Sequence, residues 1–207
     1  MTRVITYIDG FNLYFGLRQK QWRKYYWLDL AALSRALLKS GQSLVETNYF
    51  TSRIKQSNGN EAEVKRQTTY LDALAARGEV LRHEGHFLIK EGERCRACRA
   101  PIVRFEEKMT DVKIATKLLL DAFDDRFDTA LVISGDSDLS PPIEAILRRH
   151  PSKRIIVVFP PARSSAQLQK VATEAYPIGE ANLRASQLPE VVLASNGFKL
   201  LRPEHWK

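Results

Sequence analysis

A chain of 207 residues with 44% hydrophobic content can bury one substantial core, so a single domain over 1–207 is expected and two independent domains are not required. A net charge of +8 and an isoelectric point near 9.6 favour a polyanionic partner, nucleic acid first and an anionic membrane surface second. No apolar run approaches the roughly 20 residues that span a bilayer, and the chain enters a strand-like segment without an export signal; with two cysteines and no disulfide framework, a reducing cytoplasm is the expected setting.

Residues 4–8 are apolar and β-branched, predicting a short strand that stops at Asp9-Gly10. Asn12 follows in a segment, 11–17, whose apolar residues suit a helical turn against a sheet. An isolated Asp-Gly is by itself what a helix N-cap or a turn requires. Apolar positions 30, 33, 37 and 38, with Gly41 beyond them, predict an amphipathic helix over 28–38. A strand over 44–51 leads through Ser52 and Arg53 into a polar loop at 56–60, and a helix over 62–77 is stopped by Gly78. A short strand at 79–81 then runs toward an irregular insert at about 83–103 that holds both cysteines.

Val112, Ala115, Leu118, Leu119, Ala122 and Phe123 recur at helical spacing over 110–124. Thr110 suits the N-cap, and Asp111 in the first turn is favoured by the helix dipole. The run 129–133 has no polar alternation, which marks a strand covered on both faces, and it feeds into Ser134-Gly-Asp-Ser-Asp-Leu139. A helix over 139–149 with Pro141 and Pro142 in its first turn, a buried strand at 154–159 ended by Pro160-Pro161, a helix over 166–175 and an edge strand at 175–178 follow. The remainder, about 180–207, reads as an irregular extension, and the chain has no internal repeat.

Strands alternating with helices imply an α/β fold with right-handed crossovers and one parallel sheet of about four or five strands. Ligands of such sheets bind beyond the carboxyl ends of the strands, where Asp9, Asp136 and Asp138 fall. A helix opening at Asp111 and running antiparallel to the strand 129–133 would add a fourth carboxylate. Anions gathered in this way repel one another unless cations lie between them, so one or two hard divalent ions, Mg²⁺ or Mn²⁺, suit the oxygen ligands. Two such ions roughly 3.5–4 Å apart would activate a water and stabilise the leaving oxygen of a phosphodiester.

The segments 7–17 (YIDGFNLYFGL), 106–119 (EEKMTDVKIATKLL), 131–146 (LVISGDSDLSPPIEAI) and 157–172 (VVFPPARSSAQLQKVA) together resemble the NYN branch of the PIN-like nucleases. The resemblance covers most of the chain, with motifs in order at three strand or helix ends. It implies a three-layer Rossmann-like, PIN-type sandwich and metal-dependent ribonuclease chemistry, with acids matching Asp9, Asp111, Asp136 and Asp138 and a polar position matching Asn12. Ser134 and Glu107 match supporting positions, and members of this sort are mostly bacterial. A haloacid-dehalogenase-like phosphatase also ends its first strand in Asp and carries a later Gly-Asp, which Gly135-Asp136 imitates; it fails at Phe11, where that fold places a second Asp. A non-catalytic RNA-binding adaptor on the same fold is the other alternative, although it has no need of all four carboxylates.

Cys95 and Cys98, with His83 and His86 upstream, contain the ligands of a Cys₂His₂ zinc site; the alternatives are free thiols in a turn or the remnant of an ancestral knuckle. A redox role gains nothing from the sequence, because no βαβ start precedes the pair. In 18–27 basic residues interleave with aromatics, among them Arg18, Arg23, Lys24 and Tyr25, which suits single-stranded RNA over DNA. The competing reading makes Trp22 and Trp27 core anchors and the charges a solvated face. Arg53 and Arg163, each just past a strand end, are further candidates for phosphate contact, and homo-oligomer formation is left open.

Overall fold

The strand β1 (Thr2–Asp9) is buried on both faces, with Val4, Ile5, Tyr7 and Ile8 wholly inaccessible, and everything else is laid out around it. The structure, a computed structural model, describes residues 1–57, 59–94, 98 and 101–207, and for 86–94 and 101–108 it describes the backbone alone. After β1 come α1 (Gly10–Gln19), α2 (Leu30–Ala36), β2 (Gln42–Thr51), α3 (Glu61–Arg77) and β3 (Leu81–Glu84). The hairpin β4 (His86–Arg94) and β5 (Pro101–Lys108) precedes α4 (Thr110–Phe123), β6 (Thr129–Ile133), α5 (Ser140–Arg149), β7 (Arg154–Phe159), α6 (Ala166–Val171) and β8 (Glu174–Pro177). The chain closes with α7 (Glu180–Ala185), β9 (Val191–Leu193), β10 (Lys199–Leu201) and a 3₁₀ turn, Glu204–Trp206.

A parallel six-stranded sheet runs in the order β3-β2-β1-β6-β7-β8. Side chains of successive strand residues point to opposite faces, and the core divides accordingly. Val4 and Ile8 of β1 pack with Leu13, Leu33 and Leu71 from α1, α2 and α3. Ile5 and Tyr7 pack with Ile114, Ile143 and Leu168 from α4, α5 and α6. The result is the expected three-layer α/β sandwich. The sheet has six strands rather than four or five because both short edge strands join it: polar β3 pairs Asn48 with Leu81, and β8 pairs Phe159 with Pro177.

Three local expectations are corrected. The insert expected to be irregular forms the antiparallel hairpin β4/β5, with His86 opposite Lys108 and Arg94 opposite Pro101; its charged strands carry no apolar alternation from which pairing could be read. The C-terminal extension is ordered, since Leu183, Leu188, Val192, Leu200 and Trp206 complete the core over α1, α2 and α3. The N-cap of α4 is Met109, at φ 82, and Thr110 is the first helical residue; the left-handed backbone turns the chain from β5 into the helix. Among the described residues no helix is long and apolar enough to cross a membrane.

Candidate active site at the carboxyl edge of the sheet

Because Ile8 of β1 pairs with Ile133 of β6, the residues that follow these strands emerge side by side. Asp9 caps α1, accepting from the backbone N–H of Asn12 at 2.9 Å through Oδ1. Its Oδ2 accepts from the Ser134 hydroxyl at 2.9 Å, and Ser134 Oγ in turn accepts from the Asp136 N–H at 3.1 Å. Asn12 reaches across the same gap, its Oδ1 accepting from the Gly135 N–H at 3.0 Å. Asp136 caps the 3₁₀ turn Ser137–Leu139 by accepting from the Asp138 N–H at 3.0 Å.

Asp9 is buried, and its carboxyl is pushed above the ordinary value of 3.8, first by loss of solvent and further by the charge of Asp136. The counterweights are hydrogen bonds from Asn12, Ser134 and Phe11 rather than a cation. Asp136 and Asp111 are half-buried and Asp138 is exposed. Asp111 stands in the first turn of α4, which packs against β1 and the Ser137–Leu139 turn. Among the described residues no group of three or more His, Cys, Asp or Glu side chains is arranged to hold a metal ion. The expected four-carboxylate cluster is therefore present as a linked pair, Asp9 and Asp136, with Asp111 and Asp138 on elements beside it. Like charge within that pair, balanced by hydrogen bonds and not by a cation, and an oxygen-only donor set are compatible with a hard divalent ion.

The loop after β7 forms a further wall. Ala162 takes a left-handed φ of 55, and the Arg163 N–H bonds Pro160 O at 3.0 Å. Arg163 lies against two glycines: a Cβ on Gly135 would stand 3.0 Å from its Cβ, and one on Gly16 would stand 3.3 Å from its Cγ. The Arg163 Nε is buried with no hydrogen-bond partner among the described residues. Sequence spacing pointed to Arg163 but not to Gly16, whose role is visible only where α1 meets this loop.

The remaining predicted residues are scattered. Tyr25 is 4% exposed and donates its hydroxyl to Glu180 at 2.6 Å, so it is held as a packing residue. Lys24 sits over the Tyr25 ring and 3.4 Å from Glu180, while Arg53 bonds Glu84 at 3.3 Å. Arg18 and Arg23 are exposed. Of the zinc candidates, Cys95 and the side chain of His86 lie outside the described residues, as does the side chain of Glu107. Cys98 is an exposed free thiol. His83 stacks on Phe50 at 4.5 Å with Nε2 2.7 Å from Asn48 Oδ1, and burial together with Lys117 lowers its pKa from the usual 6.5.

This fold and edge site match a family model for the NYN domain over residues 3–179, and the chain belongs to that family, within the PIN-like nuclease superfamily. The family is one of nuclease-type hydrolases, whose substrates are nucleic acids. The chain is 29% identical to 6-hydroxy-3-succinoylpyridine 3-monooxygenase HspA of Pseudomonas putida (strain DSM 28022 / S16), over 99% of this chain and 75% of that protein. A crystal structure of a protein of unknown function from Vibrio parahaemolyticus RIMD 2210633 superposes with a TM-score of 0.52 at 18% identity, covering 90% of this chain and 96% of that one; it shares the fold.

Proposed function

We propose that this protein is a divalent-metal-dependent ribonuclease that hydrolyses phosphodiester bonds at the carboxyl edge of the sheet. The observation that carries the reading is the buried Asp9 carboxylate, hydrogen-bonded through Ser134 to the Asp136 loop and repelled by Asp136, with no cation among its principal partners. Asp9 and Asp136 would hold Mg²⁺ or Mn²⁺, with Asp111 and Asp138 completing the ligands. When bound, such an ion supplies Lewis acidity and neutralises charge developing on phosphoryl oxygens. The chain's own groups do the rest. Ser134 and the Asn12 N–H favour the ionised form of Asp9 against its burial, the Asn12 side chain locks the Gly135 loop in place, and Arg163 offers a guanidinium for a phosphate. Exposed Arg18 and Arg23 add to a net charge of +8 that draws in RNA.

The test is incubation of purified protein with labelled single-stranded RNA, duplex RNA and single-stranded DNA, each with Mg²⁺, Mn²⁺ or chelator. Metal-dependent RNA cleavage that Asp9→Asn and Asp136→Asn each reduce by orders of magnitude supports the reading. Cleavage indifferent to chelator and to both substitutions removes it.

A second reading, oxidation of a small aromatic acid, is favoured by likeness to the monooxygenase-named Pseudomonas protein along 99% of this chain. Its signature is oxygen uptake that requires a hydroxypyridine acid and a two-electron reductant, in protein that cleaves none of the nucleic acids.

A further inference from the structure

A cavity of about 630 Å³ lies between α1, α3 and the C-terminal 3₁₀ turn, within the size range of small-ligand pockets. Its lining includes Gly10 and Phe11, the residues immediately after Asp9. Its wall is aromatic: Tyr14 and Tyr26 have ring centroids 5.1 Å apart, and Tyr26 meets Trp206 edge-on at 5.7 Å. Tyr26 and Trp206 are buried against the core, so these rings are fixed, whereas Tyr14 is 40% exposed.

Arg18, Arg23 and Arg66 also line the cavity. Cations on neighbouring elements are paired, Lys24 with Glu180, Arg53 with Glu84 and Arg77 with Asp29; no such pair holds Arg18, Arg23 or Arg66 among the described residues. Burial raises the pKa of the Tyr26 hydroxyl, and the nearby charges of Arg18 and Arg23 oppose that rise. The acid in the lining is Glu63, exposed at the start of α3. Guanidinium groups recognise oxyanions with paired hydrogen bonds and stack on flat rings, and fixed aromatic walls accept a planar ligand at small entropic cost.

We propose that this cavity binds one planar aromatic ring carrying an anionic group, the ring against Tyr14 and Tyr26 and the anion on Arg66 and Arg18. The site goes beyond the catalytic reading, because it concerns binding alone. Its ligand has two sources with the same chemistry, a nucleotide unit of RNA and a free aromatic acid.

Uridine monophosphate and benzoate are titrated in chelator, with binding read from the intrinsic fluorescence of a protein whose Trp206 forms part of the wall. Uridine, benzyl alcohol and inorganic phosphate supply the ring or the anion separately. Saturable binding of either ring-bearing anion, weakened roughly tenfold or more in Arg66→Gln and Arg18→Gln as expected for loss of a charged hydrogen bond, supports the site. Arg148→Gln, on the opposite layer, should bind as wild type. If Arg66→Gln lowers the melting temperature, Arg18→Gln on the exposed end of α1 decides. Displacement of labelled single-stranded RNA by uridine monophosphate identifies RNA as the source; benzoate binding without displacement identifies a free acid. Failure of both compounds to saturate, or wild-type binding by both arginine variants, overturns the proposal. The same titration with Asp136→Asn keeps the outcome separate from catalysis, since that substitution tests cleavage and leaves the cavity lining intact.

Discussion

Ser134 donates its hydroxyl to Oδ2 of Asp9 at 2.9 Å, and the same hydroxyl oxygen accepts the N–H of Asp136 at 3.1 Å. One buried hydroxyl thus ties the end of β1 to the loop after β6 and holds two like charges in a defined relation. Ser134→Ala removes a donor that favours the charged form of Asp9, so the Asp9 pKa rises further and the acidic limb of the cleavage profile moves to higher pH. Losing two hydrogen bonds at an inaccessible position should also cost about 1–3 kcal/mol, measured by denaturant unfolding. A profile superimposable on the wild type would show that the hydroxyl does not govern Asp9.

The stability of Asp9→Asn should depend on pH in a particular direction. The folded pKa of Asp9 lies above its ordinary value of 3.8, so ionising it opposes folding. That penalty is absent below the ordinary value, where folded and unfolded chains are both protonated, and is complete above the folded pKa. In chelator, Asp9→Asn should therefore melt higher than wild type at neutral pH, with the gain shrinking as the pH falls toward 3.8. A variant that melts lower at neutral pH would mean that the hydrogen bonds to the carboxylate, above all the one from Ser134 to Oδ2, outweigh its burial penalty.

Gly16→Ala sets two effects against each other. Alanine is worth roughly 1 kcal/mol to the interior of α1. Its Cβ, however, would stand 2.4 Å from the backbone oxygen of Pro161, and an overpacked contact of this kind costs roughly 1–3 kcal/mol. Backbone cannot swing aside as a long side chain can, so the clash should prevail, with a net loss of up to about 2 kcal/mol. The displaced loop carries Arg163, so nucleic-acid affinity should weaken as well. Unfolding and filter-binding curves on the same preparation test both parts; a stabilised variant with unchanged affinity would contradict the close approach.

Arg3 and Asp128 give the opposite pH signature from Asp9. Asp128 accepts from the Arg3 N–H and from its guanidinium, both at 2.7 Å, and these bonds lower its pKa from 3.8 to about 2. The stabilisation is complete above the ordinary value and lost as the pH falls through about 2. Both side chains are about 40% exposed, so the pair should be worth only about 0.5–1 kcal/mol. Asp128→Asn should show that cost from neutral pH down to about 4 and converge on wild type near pH 2. A cost independent of pH would assign the effect to geometry rather than charge.

The central strands were legible from local pattern because burial on both faces demands near-continuous apolar and β-branched runs, as in 4–8, 129–133 and 154–159. Asp9, Asn12 and the acids of 134–139 could be placed at the sheet's edge for the same reason, since a carboxylate directly after such a run has to emerge at its carboxyl end. Pairings made across the chain were decided only by the tertiary structure. Tyr25 belongs to the core because Glu180, 155 residues away, takes its hydroxyl, and nothing in the local mixture of charge and aromatics distinguishes that from a surface for stacking. The C-terminal residues have no strong period of their own; they become ordered by covering Leu13, Leu33 and Leu71 with Leu183, Val192 and Trp206. Arg66 joins Arg18 and Arg23 around one cavity because α1 and α3 cover the same face of the sheet, a neighbourhood set by sheet order rather than by local sequence. Local runs thus settle which faces must be buried, whereas the partners that bury them, and the cavities left between them, follow from contacts between segments far apart in the chain.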